Sequence, residues 1–220
     1  MKTLKQHIFE KLKVSKPTYT LIPKSKGELT YMIEDEISKN GNECSLNHIN
    51  VSKITDMSKL FYGSEFNGDI SDWDVSNVEN MEWMFAFSQF NGDISGWNVS
   101  NVNNMFSMFR ECKFNGNISN WDVSNVTNMS SMFIGSKYTG DLSNWDVSSV
   151  NNMWGMFRES YFNGDISNWD VSNVNIMYGM FYHSKFNGDI SNWDVSNVIN
   201  MKYMFDHSPL QKNPPKWYKV

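Results

Sequence analysis

Cysteine, proline and long apolar runs are scarce in this sequence of 220 residues, which contains two Cys and five Pro. Cys44 and Cys112 lie 68 residues apart, nearly three periods of the repeat described below. Stacked copies of that repeat would place the two residues about 14 Å apart, whereas a disulfide needs Cα atoms within about 7 Å. We therefore expect both thiols to be free.

The N-terminal segment contains neither a signal-peptide core nor a membrane span. Lysines at positions 2, 5, 11, 13 and 16 interrupt every apolar stretch, and a spanning helix needs about 20 consecutive apolar residues. We expect no transmembrane segment and no conventional secretion signal. The location is left unknown, with a cell surface or a virion as the suspected places.

Charge and motif content exclude several classes of function. The net charge is −5, and residues 41–220 hold eleven basic residues against nineteen acidic ones, so nucleic acid is not an expected partner. The four His have no metal-ligand spacing, and no P-loop, G-x-S-x-G or H-E-x-x-H sequence is present. Columns of Asp match neither an EF-hand nor a glycine-rich nonapeptide roll, so we expect them to form turn or ladder hydrogen bonds, with bound calcium as the open alternative. We expect no enzyme activity, no metal site and no cofactor.

A repeat of 24 residues is what the sequence has in abundance. The phrase F-N-G-D-I-S-N-W-D-V-S-N-V-x-N-M-x-x-M-F returns six times, and a degenerate seventh copy precedes these. Its tryptophans are Trp73, Trp97, Trp121, Trp145, Trp169 and Trp193. Because one copy cannot bury its apolar residues alone, the copies must stack, and these tryptophans are expected to be core residues.

The spacing within one copy predicts a leucine-rich-repeat-like α/β solenoid. Ile70-x-x-Trp73-x-Val75 has the spacing of the strand in such repeats, with Trp73 and Val75 facing inward. Val78, Met81, Met84 and Phe85 then fall on one face of a short α- or 3₁₀-helix. Stacking would give short parallel strands on one face of the solenoid and short helices on the other.

Four segments are predicted along the chain. They are an amphipathic N-terminal helix at 1–16, an N-terminal cap at 17–41, a solenoid of seven repeats at 42–208 and a C-terminal cap at 209–220. Within the cap, residues 28–38 are expected to be helical and to end at Asn40-Gly41. The N-terminal helix has an apolar stripe that docks on a partner groove, docks on a membrane surface or packs on the solenoid itself. The stripe consists of Leu4, Ile8, Phe9 and Leu12.

Variable positions within the copies are the candidate binding residues, because the invariant positions are already explained by stacking. Large aromatic side chains recur there, on the predicted helical face: Trp83, Phe106, Trp154, Tyr178 and Tyr203. A helical wheel places Trp83 and Tyr203 nearly opposite the buried side and the other three on its flank. Such side chains suit recognition of a protein or glycan partner, or they fill grooves between neighbouring helices.

The repeated phrase N-G-D-I-S-x-W-D-V-S-N-V-x-N-M-x-x-M-F resembles that of BspA-like leucine-rich-repeat surface proteins, in their Met-Phe and Trp-Asp subgroup. The resemblance covers residues 17–217. It implies a binding or adhesion module on microbial surfaces, with phage-encoded relatives, and it transfers no catalytic residues.

Two functions follow from these observations. The first is a non-catalytic binding or adhesion module that recognises a protein or glycan through the solenoid surface. The second is a structural component of a larger assembly, such as a phage particle, held by its N-terminal helix.

Overall fold

The computed structural model describes residues 18–219. Helix α1 spans Lys26–Asn40, and a short 3₁₀ helix spans Pro209–Gln211. The predicted helix at 1–16, with its stripe of Leu4, Ile8, Phe9 and Leu12, lies outside the described residues. Within the described part, no helix has the length and apolar character needed to cross a membrane. Cys44 and Cys112 are both free.

Helix α1 covers the first copy of the repeat and has well-defined ends. The Ser25 hydroxyl caps its N-terminus by accepting a hydrogen bond from the Glu28 N–H at 3.2 Å. Gly41 ends the helix with a positive φ of 84°, and its N–H donates to the Ile37 carbonyl. Leu29 and Ile33 are buried against the first copy. The helix predicted over 28–38 is thus confirmed and extends slightly at both ends.

Copies of the repeat stack with residues 24 apart lying side by side. Backbone hydrogen bonds join neighbouring copies, as from the Met57 N–H to the Asn80 carbonyl at 2.9 Å and from Met81 to Asn104 at the same distance. A line of single parallel bridges follows the same positions through Asp56, Asn80, Asn104, Asn128, Asn152, Ile176 and Asn200.

The predicted solenoid of strands and helices is wrong in its strand layer. In the described residues, Trp73 and Val75 belong to no strand, and parallel pairing is limited to isolated bridges elsewhere. The Trp73 N–H donates to Ile70 and the Val78 N–H to Val75, so this segment is a pair of tight turns. The Asp74 carboxylate also binds the Ser76 N–H at 3.2 Å. Local bonds of this kind compete with a strand ladder, which explains the difference.

The predicted helical layer is wrong as well. Residues 81–88 form consecutive turns, in which Met84 donates to the Met81 carbonyl and Ser88 to the Phe85 carbonyl. Trp83 has a φ of 58° and Phe87 a φ of 60°, which no right-handed helix contains. The N–H groups of residues 84, 86 and 88 bond within the copy, whereas those of residues 81, 83, 85 and 87 donate to the next copy. Each turn spans three residues, which imitates the period of a helix in the sequence.

The core is a set of aromatic and aliphatic columns running through all copies. Successive Trp rings stack at 6.4 Å between Trp73 and Trp97 and 6.5 Å between Trp169 and Trp193. Each indole N–H donates to a carbonyl of the preceding copy, as from Trp121 to Ile94 at 3.1 Å. Their predicted burial is confirmed, since all six of these Trp are at most 4% exposed.

The C-terminal residues continue one of these columns. Trp217 stacks on Trp193 at 6.4 Å, and its indole N–H donates to the Ile190 carbonyl at 2.9 Å. This is the bond that every other Trp of the column makes. Trp217 therefore covers the last copy in the way that the Trp of a further copy would.

Candidate recognition surface

The turns between the Met and Phe core residues present one surface, which we call the turn face. It is formed by residues 58, 59, 62 and 63 and their equivalents at intervals of 24. Two of these four columns have a positive φ in every copy. One consists of Lys59, Trp83, Ser107, Ser131, Gly155, Gly179 and Tyr203, and the other of Gly63, Phe87, Glu111, Gly135, Glu159, His183 and His207.

Large side chains in these two columns carry a conformational cost. A left-handed backbone costs a non-glycine residue about 1–2 kcal/mol, and it is an outlier for bulky residues in particular. Gly155 and Gly179 avoid this cost. Trp83, Phe87 and Tyr203 do not, although the same backbone is formed with Gly or Ser in other copies.

Aromatic side chains on the turn face form two groups. The first, the tryptophan cluster, comprises Tyr62, Trp83, Phe87, Phe106 and Arg110. Trp83 contacts the edge of Phe106 at 5.3 Å and that of Tyr62 at 5.8 Å between ring centroids. The Arg110 guanidinium lies 5.7 Å from the Trp83 centroid and 5.5 Å from that of Phe87. Tyr62 stays 50% exposed and Phe87 36% exposed, so neighbouring copies do not bury the cluster.

The second group surrounds a depression of about 300 Å³, the tyrosine cleft. Its lining residues are Arg158, Tyr178, Gly179, Tyr182, Tyr203, Asp206 and His207. Tyr178 contacts the edge of Tyr203 at 5.4 Å. The Arg158 guanidinium lies 4.7 Å from the Tyr182 ring centroid, and the His183 and His207 rings stack at 4.2 Å.

The two groups are separated by a copy with small side chains. Ser130 and Ser131 are both buried there, so the predicted aromatic residues do not form one continuous strip. Phe106 and Trp83 lie in the tryptophan cluster, Tyr178 and Tyr203 line the tyrosine cleft, and half-buried Trp154 lies between the two groups. The helical wheel does not apply to these turns. Of the two residues that it placed opposite the buried side, Tyr203 is 49% exposed and Trp83 is half-buried.

Sequence reasoning missed several members of the two groups. Tyr62, Arg110, Arg158 and Tyr182 all belong to one column of the repeat, four positions after the column of Phe106, Trp154 and Tyr178. The residue type in that column varies between copies as much as in the column of Phe106, Trp154 and Tyr178. This variation was the signal in the sequence that could have identified these members.

A polar trough of about 810 Å³ lies along the repeat's Asn columns, away from the turn face. Its side chains form hydrogen bonds that hold neighbouring copies together. The side-chain amide of Asn77 donates to the Ser52 carbonyl at 2.8 Å and that of Asn101 to the Ser76 carbonyl at 2.6 Å. These bonds replace the missing strand ladder, so the trough is part of the scaffold.

The Asp columns also have a structural role within the copies. Asp165 accepts a hydrogen bond from the N–H of Ser167 at 2.9 Å, and this bond is the main reason that its pKa lies below the ordinary value. Asp122 is bound by both the hydroxyl and the N–H of Ser124, which likewise lower its pKa. Among residues 18–219, no group of three or more His, Cys, Asp or Glu is arranged to hold a metal ion.

Comparison with known protein families matches residues 28–137 and again 107–217 to the family described as Mycoplasma protein of unknown function, DUF285. The chain belongs to this family. The two overlapping matches together span nearly all copies of the repeat, which fits a family defined by the repeat itself. No curated protein and no solved structure matches the chain.

Proposed function

We propose that this DUF285 protein is a non-catalytic binding module that recognises a protein or glycan partner through its turn face. The observation that carries the proposal is the placement of Trp83, Phe87 and Tyr203 at left-handed positions. Residues held at a conformational cost cluster at functional sites. Here the fold requires the left-handed backbone, which every copy has, but it does not require aromatic side chains there, because Gly or Ser occupies the same places in other copies.

Exposure supports recognition over groove filling. An aromatic side chain that only filled a groove would be covered by its neighbours, yet Tyr62, Phe87 and Tyr203 each leave a third or more of their surface in solvent. Residues of this type supply most of the binding free energy in protein interfaces. Arg110 and Arg158 beside them add hydrogen-bond donors.

The repeated phrase supports a finer assignment. Its likeness to BspA-like leucine-rich-repeat surface proteins favours a place among microbial surface modules, with adhesion as the resulting activity. The backbone of the copies differs from the strand-and-helix layers expected of that group. The assignment therefore rests on the repeated sequence phrase alone.

The experiment compares binding of three proteins to a glycan array and to intact microbial cells. They are the parent chain, a Trp83→Ser and Tyr203→Ser double variant, and an Asp122→Asn control on another face. Ser already occupies the column of Trp83 and Tyr203 at positions 107 and 131, so folding should persist. We expect the double variant to lose binding at least tenfold and the control to keep it. Equal binding by all three proteins would reject the turn face as the recognition surface.

The alternative function, a structural component of an assembly such as a virion, stays a prediction from the sequence. It depends on the apolar stripe Leu4, Ile8, Phe9 and Leu12, which lies outside the described residues. Association with intact particles should then disappear in a chain that begins at Pro17 and survive the double variant above. The opposite pattern would favour recognition by the turn face.

A further inference from the structure

We infer that the tyrosine cleft is a binding site for an uncharged saccharide of one or two rings. The inference rests on the proposed function and names the ligand class of one part of the turn face. Its volume of about 300 Å³ lies at the small end of the range for small-molecule sites. A folded protein domain would not enter it, whereas one or two sugar rings would.

The cleft exists because a glycine lies between its aromatic walls. Gly179 occupies the column that contains Trp83 in the tryptophan cluster, and the two residues have nearly the same φ, 59° and 58°. A Cβ at Gly179 would meet only Tyr182, at 3.7 Å. The space next to Gly179 is therefore open, where an indole fills the equivalent space four copies earlier.

The walls of the cleft are held by the backbone of the stack. The N–H of Glu159 donates to the Tyr182 carbonyl at 2.8 Å, and that of Gly179 donates to the Lys202 carbonyl at 2.9 Å. The N–H of His183 donates to the Asp206 carbonyl at 2.9 Å. Because these main-chain positions are fixed before a ligand arrives, little ordering cost falls on binding.

The lining chemistry fits a sugar ring. Three Tyr rings line the cleft and provide apolar surface for the C–H groups of a pyranose, and their hydroxyls both donate and accept hydrogen bonds. Arg158 supplies donors and Asp206 supplies acceptors. Vicinal hydroxyl groups of a saccharide need this combination of donors and acceptors at the edge of an aromatic surface.

Charge argues against an anionic saccharide. The guanidinium of Arg158 already pairs with the Glu159 carboxylate at 3.1 Å, and Asp206 adds a negative charge to the cleft. An anion would meet Asp206 while Arg158 is already engaged. An uncharged saccharide avoids this repulsion and can still hydrogen-bond to both side chains.

The first experiment titrates the full chain with the methyl glycosides of glucose, galactose, mannose and N-acetylglucosamine. Chemical shifts of the Tyr side chains are followed by NMR. We expect at least one glycoside to bind saturably in the millimolar range, with shifts concentrated at Tyr178, Tyr182 and Tyr203. If none of the four produces a saturable shift in these residues, the inference is rejected.

Three variants, each copying a residue found elsewhere in its own column, test the location. Gly179→Trp reproduces Trp83 and fills the cleft, Tyr182→Ala reproduces Ala86, and Tyr203→Ser reproduces Ser107. Each should weaken glycoside binding at least tenfold with the NMR spectrum of the rest of the chain preserved. Asp122→Asn, which reproduces Asn98 on another face of the stack, is the matched control and should bind as the parent does. Unchanged binding by both Gly179→Trp and Tyr182→Ala would contradict the inference.

Failure of this inference and failure of the proposed function give different results. If no glycoside binds but the Trp83→Ser and Tyr203→Ser double variant still loses attachment to cells, the cleft is not a saccharide site and the turn face still recognises a partner. If glycosides bind in the cleft but the double variant attaches normally, the cleft is a saccharide site that does not mediate attachment, and the proposed role of the turn face in attachment to cells is rejected.

Discussion

Tyr138 places a hydroxyl group in a core column where the other copies have Phe. The residue is fully buried, its hydroxyl has no hydrogen-bond partner among the described residues, and burial raises the pKa of this phenol. An unpartnered buried polar group costs about 1–3 kcal/mol. Tyr138→Phe should therefore raise the free energy of unfolding by that amount, measured by urea denaturation.

The matched control for Tyr138 is the reverse change in the next copy. Phe162→Tyr should lower stability by a similar amount, because Phe162 occupies the same place in the stack. A less stable Tyr138→Phe variant would show that the hydroxyl has a partner, such as a buried water.

The energetic cost of a left-handed backbone on the turn face can be measured by substitutions at Glu111. It is exposed, with a φ of 49°, and its column contains Gly63 and Gly135. Glu111→Gly and Glu111→Ala both remove the side chain, but only Gly relieves the backbone. We expect the Gly variant to be more stable than the Ala variant by about 1 kcal/mol. Equal midpoints in thermal unfolding would mean that the turn face accepts bulky residues without strain.

Turns between Asp and Ser are the repeated element that links stability to pH. The N–H of the Ser two residues later lowers the pKa of each Asp in one column, which includes Asp93, Asp141, Asp165 and Asp189. A lowered pKa in the folded state stabilises the protein above the ordinary Asp pKa of about 4. This contribution is lost as the pH falls through the lowered pKa values. The unfolding temperature should therefore decrease as the pH falls from the ordinary Asp pKa to these values.

The chain supplies the control for this pH effect. Asn117 replaces Asp in the same column and accepts the bonds from Ser119 at 3.0 and 2.8 Å. Changing Asp93, Asp141, Asp165 and Asp189 to Asn should keep the turns and flatten the dependence of the unfolding temperature on pH between 3 and 5. An unchanged slope would assign the acid sensitivity to other groups, such as Asp122 and Asp170.

Elements were predictable from the sequence where local signals agreed with the structure. Helix α1 has a Ser cap, a Gly end and an amphipathic stripe, so its existence could be read directly. The turns could not, because turns that each span three residues and a helical period place the same Met and Phe residues on the buried side. Only the positive φ of Trp83 and its equivalents separates the two. Gly155 and Gly179 in that column were a signal for it, but the other copies have larger residues there.

The candidate site was predictable from the sequence only in part. Variation between copies singled out Trp83, Phe106, Trp154, Tyr178 and Tyr203 as surface candidates. Their grouping depends on cross-copy contacts such as the one from Arg110 to Trp83. No pattern within one copy encodes those contacts.

At the scale of the whole molecule, stability depends on contacts between neighbouring copies. Trp121 lies in the middle of the stack, is 3% exposed and donates to the Ile94 carbonyl. Trp121→Ala should lower the free energy of unfolding by about 3–5 kcal/mol, measured by urea denaturation. Trp121→Phe, which keeps a ring in the column, should lower it less. An unchanged midpoint for the Ala variant would contradict the stacking register.

The bonds between copies join residues at nearly constant separation, from Met57 to Asn80 through Met177 to Asn200. Unequal recombination between tandem copies could therefore add or remove a whole layer of the gene product while every other layer kept its neighbours. The length of the turn face, and the distance between the tryptophan cluster and the tyrosine cleft, would change in fixed steps. A lineage could thus alter how many partner groups one molecule engages without evolving a new fold.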